Sequence, residues 1–193
     1  MTGRLVAVVG PSGAGKDTLM DAARAALAND PRFVFLRRVI TRPADAGGED
    51  HVAVTEEAFH AMQARGSLAL WWEAHDLLYG IPRQPLEAAL SSSQVAVANL
   101  SRQALHDAAA RFPLQVLEIT APIPVRAARL AARGRETVED VARRLARQAP
   151  LPPGLPVETV INDGTVAEGV TRVLAVLGTA WEGGRATSGA PRD

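Results

Sequence analysis

Lys16 is the one lysine in a chain of 193 residues whose Lys and Arg together number 21. It stands in GPSGAGKDT, Gly10 to Thr18. Every other cationic position is arginine, so Lys16 does something arginine cannot. A compact ammonium on a flexible four-carbon stem reaches the β- and γ-phosphates of a nucleotide, where a broad planar guanidinium fits poorly. Gly10, Gly13 and Gly15, with Pro11, Ser12 and Ala14 between them, let the backbone curl so that successive N–H groups and a helix N-terminus face an anion. This is a cradle for phosphate. The usual G-x-x-x-x-G-K-[ST] pattern sets a hydroxyl after the lysine as a Mg²⁺ ligand, but here Asp17 holds that place and Thr18 follows. Either Asp17 ligates the metal as a hard carboxylate oxygen, or Thr18 supplies the oxygen, or the loop binds phosphate with altered metal geometry.

A second concentration of chemistry lies downstream. Arg126, Arg129 and Arg133 are spaced three and four apart, which puts them on one face of a helix, and Arg135, Arg143, Arg144 and Arg147 follow. Such a group suits a lid that neutralises charge on transferring phosphates and excludes water. The bland alternative is a set of solvated arginines pairing with Glu136, Glu139 and Asp140.

These groups need a frame. Leu5 to Val9 reads as a buried parallel strand and Lys16 to Ala28 as a helix. Phe33 to Ile40 is apolar and β-rich, and Thr55 to Arg65 is a helix capped by Thr55 and ended by Gly66. Gln94 to Ala98 and Leu114 to Thr120 are strands on either side of a helix over Ser101 to Arg111. Helices over 122–133 and 137–148, a last strand Val157 to Ile161 and a closing helix Thr165 to Leu177 complete the alternation. The pattern is α/β: a P-loop fold whose mostly parallel sheet is flanked by helices, with a small acceptor-binding subdomain and an Arg-rich lid. Residues 1–177 form one domain, with the acceptor region over about 33–85 and the lid over about 124–148. From Gly178 to Asp193 the Gly-, Ala- and Ser-rich composition reads as a disordered tail, against which only Trp181 argues.

Net charge is +0 with a pI near 6.9, which gives no general attraction to nucleic acid or to an anionic membrane. The absence of cysteine excludes disulfides and thiolate metal sites. With no signal segment and no apolar run long enough to span a bilayer, a cytoplasmic protein is expected. Its oligomeric state is left open, a homodimer being allowed.

GPSGAGKDT, VITRP (Val39 to Pro43), GEDH (Gly48 to His51) and RLAARGRE (Arg129 to Glu136) together resemble the guanylate kinase superfamily. The Lys-Asp-Thr ending of the loop, WEAHDLLYGIP (Trp72 to Pro82) and ANLSR (Ala98 to Arg102) are similar to its phosphonate-utilisation branch, the ribose 1,5-bisphosphate phosphokinases. The resemblance covers about Leu5 to Leu177 and implies phosphorylation of ribose 1,5-bisphosphate by ATP, giving 5-phosphoribosyl 1-diphosphate, PRPP. It implies that Ser12 to Thr18 hold ATP phosphates and Mg²⁺, that Thr41 and Arg42 form an acceptor-phosphate site, and that Tyr79 with Gly80 forms a second contact. Arg133 and Arg144 would be catalytic lid residues, and Asn162 with Asp163 would lie near the adenine. Three departures from guanylate kinases weaken guanine recognition: Ala44 and Asp45 stand where a second Arg is usual, GEDH runs directly into Val52, and the strand usually ending in an acid ends at Asn99.

Charge gives a separate reason to expect a phosphate acceptor. A phosphate is already largely ionised at neutral pH, its second pKa being ~6, so no base is needed and the difficulty is repulsion between polyanions. Cations at both ends answer it: Arg38 and Arg42 on one side, the lid arginines on the other. His51 and His75 are either ordinary packed or surface residues or donors to sugar hydroxyls or phosphate. Glu49 and Asp50 either meet ribose hydroxyls or sit on a polar loop, and Trp71 and Trp72 read as small-subdomain core. A guanylate-type nucleoside monophosphate kinase is the alternative enzyme, and a non-catalytic guanylate-kinase-like binding module the alternative of another class.

Overall fold

The computed structural model describes residues 3–44, 49–132 and 151–186. The lid region from Arg133 onward, including Arg144 and the helix expected over 137–148, lies outside the described residues, as do Asp45 and Gly48.

β1 (Arg4–Val9) is apolar along its whole length because both of its faces are covered. Leu5, Ala7 and Val9 point to one side of the sheet, while Val6 and Val8 point to the other. Parallel strands β2 (Phe33–Phe35), β7 (Val95–Asn99), β8 (Leu114–Thr120) and β9 (Val157–Ile161) join it in the order β2-β7-β1-β8-β9. On one face lie α3 (Arg83–Ser91) and α4 (Leu105–Arg111), the latter preceded by a 3₁₀ turn at Arg102–Ala104. On the other lie α1 (Lys16–Ala26) and α6 (Val166–Ala186), which bury Leu19, Met20 and Ala23 against Val173, Leu177 and Ala180.

A smaller sheet, in the order β4-β3-β6-β5, is built from β3 (Val39–Ile40), β4 (Val52–Ala53), β5 (Leu68–Ala74) and β6 (Leu77–Pro82). α2 (Glu56–Ala64) covers it with Phe59, fully buried beside Val39 and Leu68. Thr55 caps α2 as expected, its side chain accepting from the Ala58 amide at 3.2 Å. α5 (Ile123–Ala131) leads towards the lid segment.

Two expectations change. The apolar stretch Phe33 to Ile40 is not one strand: Phe33–Phe35 pairs with β7 in the main sheet, and Val39–Ile40 pairs with β4 and β6 in the small one. The small sheet therefore begins at Val39, and Leu36 to Arg38 bridge the two sheets. Gly178 to Ala186, expected in the tail, are helical, because α6 runs past Leu177 to Ala186. Its added turns are packed: Ala180 is fully buried, and the Arg32 guanidinium lies 4.9 Å from the Trp181 ring centroid. Of the two tryptophans on β5, Trp72 is core at 5% exposure, whereas Trp71 faces solvent at 56%. Among the described residues no helix is long and apolar enough to cross a membrane.

Ending the chain after Leu177 is expected to lower stability by about 1.5–3 kcal/mol, the scale of uncovering one large apolar side chain. Urea denaturation of the shortened chain measures it. An unchanged midpoint would mean that the last turns of α6 add nothing to the folded core.

Candidate active site

β1 ends in the loop Gly10 to Gly15, and α1 begins at Lys16. Gly13 and Gly15 have φ of 80° and 78°, left-handed values that disfavour any side chain. At Gly10 the requirement is space, since a β-carbon there would strike the Ile119 carbonyl of neighbouring β8. Gly15 caps α1 without any side-chain hydrogen bond, so the first-turn N–H groups remain available to an anion. The loop encloses a cavity of about 240 Å³ lined by Gly10 to Thr18, except the buried Ala14, together with Arg129. Lys16 projects here, its Nζ donating to Asp17 Oδ1 at 2.9 Å.

Three carbonyl oxygens of the loop are claimed from behind. Arg126 Nε donates to Ser12 O at 3.1 Å, Arg129 Nη1 to Gly13 O and Ala14 O at 3.4 Å each, and Asn162 Nδ2 to Ala14 O at 2.7 Å. Arg126 is only 5% exposed; burial, and secondarily the positive charge of Arg102, pushes its pKa below the usual guanidinium value. Asn162, expected beside the nucleotide, is a buried support of the loop and does not line the cavity.

A second, narrow cleft of about 20 Å³ opens between α1 and the small sheet, lined in part by Asp21, Arg24, Arg38, Glu49 and Asn99. Asp17 lines both this cleft and the loop cavity, so the two share one carboxylate. Arg38 Nε donates to Glu49 Oε1 at 2.5 Å, and Asn99 Nδ2 donates to Glu49 Oε2 at 2.6 Å. The Arg38 guanidinium also lies 4.9 Å from the Tyr79 ring centroid, and that ring stacks on Trp72 at 5.6 Å. Asp50 receives Arg37 at 2.7 Å and Arg24 at 3.6 Å.

Thr41 is fixed by Leu78, whose amide donates to Thr41 Oγ1 at 2.9 Å. Arg42 keeps a buried Nε with no partner among the described residues, a donor suited to a phosphate oxygen. His51 is 6% exposed and ties the 42–51 segment together: Nδ1 lies 3.0 Å from Glu49 O and Nε2 lies 3.2 Å from Arg42 O. His75 lines neither cavity; it occupies the two-residue β5–β6 turn with Asp76, at φ 54° and 58°. Gly80 sits in the ladder between β3 and β5, where a β-carbon would come within 2.9 Å of Leu68. Arg126 and Arg129, expected in the lid, instead donate from α5 to the carbonyls of the phosphate loop, a direction that needed the fold. Arg24 was not singled out from the sequence, and only the packing of α1 against the 49–50 loop brings it to the cleft.

A phosphate loop ending the first strand of a five-stranded parallel sheet, beside a small mixed sheet with Arg38 and Arg42 flanking its strand β3, defines a guanylate-kinase-like P-loop fold. A guanylate kinase from Anaplasma phagocytophilum has this fold, with a TM-score of 0.65 over 92% of this chain and 86% of that one at 18% identity. No protein-family model matches the chain. Among curated proteins, the ribose 1,5-bisphosphate phosphokinase PhnN of Rhizobium etli (strain CIAT 652) is 49% identical over 177 residues, 91% of this chain and 89% of the relative. The enzyme of the same name from Pseudofrankia inefficax is also 49% identical, over 91% of this chain and 90% of its own. The chain belongs to the ribose 1,5-bisphosphate phosphokinase family. A bifunctional ribose 1,5-bisphosphokinase-thymidine phosphorylase of Cupriavidus necator is 48% identical over 99% of this chain, which spans 31% of that longer protein.

Asn162→Ala is expected to lower the stability of the nucleotide-free protein by about 1–3 kcal/mol, because it strips a buried carbonyl of its shorter hydrogen bond and leaves only the 3.4 Å contact from Arg129. Thermal denaturation without ATP distinguishes this support from a ligand contact, whose loss would leave the free protein unchanged.

Proposed function

We propose that the protein transfers the γ-phosphoryl group of ATP to ribose 1,5-bisphosphate, giving ADP and 5-phosphoribosyl 1-diphosphate. The observation that carries this reading is the pair of adjoining sites, a phosphate loop and a charged cleft in which Arg24 and Arg38 stand among Asp17, Asp21, Glu49 and Asp50, that meet at Asp17. The names of the relatives supply the acceptor.

The loop amides, Lys16 and Arg129 would hold the β- and γ-phosphates, and charge-assisted donation there strengthens as negative charge shifts towards the leaving ADP. Arg38 in the cleft, together with Arg42 and Thr41, would hold the acceptor. An oxygen of its C1 phosphate forms a bond to the γ-phosphorus while the bond from that phosphorus to ADP breaks. No proton need be removed, since this phosphate is ionised at neutral pH with a second pKa of ~6. The site is consistent with that economy, as His51 is buried with Nε2 3.2 Å from Arg42 O and Nδ1 3.4 Å from the Arg42 Nη2 donor. Arg133 and Arg144 belong to the same proposal as lid cations, and Tyr79 as a wall of the acceptor site.

The exposed Asp17 carboxylate and the exposed Thr18 hydroxyl fit a hard cation, and among the described residues no three metal-ligating side chains converge. That suits Mg²⁺, which is usually held by one or two protein oxygens together with substrate phosphates. When bound, Mg²⁺ supplies charge neutralisation between the β- and γ-phosphates.

An acceptor panel tests the reading. Ribose 1,5-bisphosphate should be consumed with ATP and GMP should not, and Lys16→Ala should lower turnover by about 10² or more. GMP phosphorylation at a matching rate would make this a nucleotide kinase instead. Asp17→Asn is expected to raise the Mg²⁺ concentration needed for half-maximal rate while changing nucleotide binding less, a neutral amide oxygen being the poorer ligand. A magnesium titration of the variant checks this, and an unaltered requirement would move the ligand role to Thr18.

A further inference from the structure

Glu49 and Asn99 meet across the cleft from different parts of the fold, one on the loop before β4 and the other at the end of β7 on the main sheet. We infer that this pair reads the ring hydroxyls of the acceptor sugar and so selects ribose over its 2-deoxy counterpart. The inference rests on the ribose bisphosphate reading.

Counting donors and acceptors carries the argument. A carboxylate only accepts, so the Asn99 amide has to turn Nδ2 towards Glu49, and its Oδ1 is left as an acceptor. Each Glu49 oxygen takes a single donor, Arg38 Nε or Asn99 Nδ2, although each has capacity for a second. The pair therefore offers the cleft spare acceptor capacity and negative charge. The Glu49 carboxylate repels phosphate oxygens, whereas hydroxyl groups can donate to it. The phosphates would be drawn to Arg24 and Arg38, which line the same cleft.

The space available is about 20 Å³, room for about one water molecule. A sugar can enter only if the 2.6 Å Glu49–Asn99 contact opens, and neighbouring hydroxyls are the groups that can replace it. One hydroxyl donates to Glu49; the next accepts from Asn99 Nδ2 or donates to Oδ1. The amide at position 99 also explains the departure from an acidic residue. Two carboxylates at this distance could not both be ionised, and the shared proton would remove an acceptor from the site.

The test compares ribose 1,5-bisphosphate with 2-deoxyribose 1,5-bisphosphate as acceptors at saturating ATP. The intact enzyme should favour ribose by about tenfold to a hundredfold in kcat/KM, the scale of one lost hydrogen bond to a charged group. Asn99→Ala and Glu49→Gln, each checked for folding by thermal denaturation, should bring that ratio towards one and leave the KM for ATP unaltered. A merely structural role would slow both substrates alike and preserve the ratio. Equal use of the two sugars by the unaltered enzyme, or full discrimination by both variants, would overturn the inference while leaving the kinase reading in place. Failure to phosphorylate ribose 1,5-bisphosphate at all would overturn both.

Discussion

A loop that turns its N–H groups towards a ligand turns its carbonyl oxygens away from it, and oxygens held inside a protein need donors. Here Ser12, Gly13 and Ala14 hand theirs to Arg126, Arg129 and Asn162. These donors come from α5 and from the segment after β9, distant in sequence and adjacent only because the parallel sheet brings the ends of β1, β8 and β9 together. The cradle is thus a product of the whole sheet order. Its glycines answer the same demand, since the main sheet and α5 press against the loop too closely for a β-carbon at Gly10 or Gly13.

The acceptor side is organised by charge rather than by backbone. Arg24, Arg37 and Arg38 face Glu49 and Asp50, and the cations are held in place by acids and by the stacked Trp72 and Tyr79 rings. Fixed cations lose little freedom when an anionic substrate arrives, which is how a site overcomes repulsion between two polyphosphates. The arrangement also joins the loop before β4 to α1 and β7.

Much of this was legible in the chain because several signals coincided. β1, the loop and α1 were fixed by an apolar run, three glycines and the lone lysine; β8 and β9 matched their expected limits, and Thr55 announced α2. Legibility failed where one signal had two meanings. Phe33 to Ile40 reads as one apolar strand, and only pairing partners divide it between two sheets. Glycine and alanine near the C-terminus suggested a tail, yet small residues also let α6 pack closely. α3 went unnoticed for want of a capping side chain, its N-cap being Pro82. At the site, the letter at position 99 was visibly unusual, but its meaning required Glu49 to be set 2.6 Å away.

The solitary lysine has an experimental use. In a protein whose remaining basic side chains are guanidiniums and imidazoles, reductive methylation with isotopically labelled formaldehyde would modify one side-chain amine, at 16% exposure inside the loop cavity. The labelled methyl groups would then report by NMR on the phosphate site itself, without the background of surface lysines that obscures such spectra in most proteins.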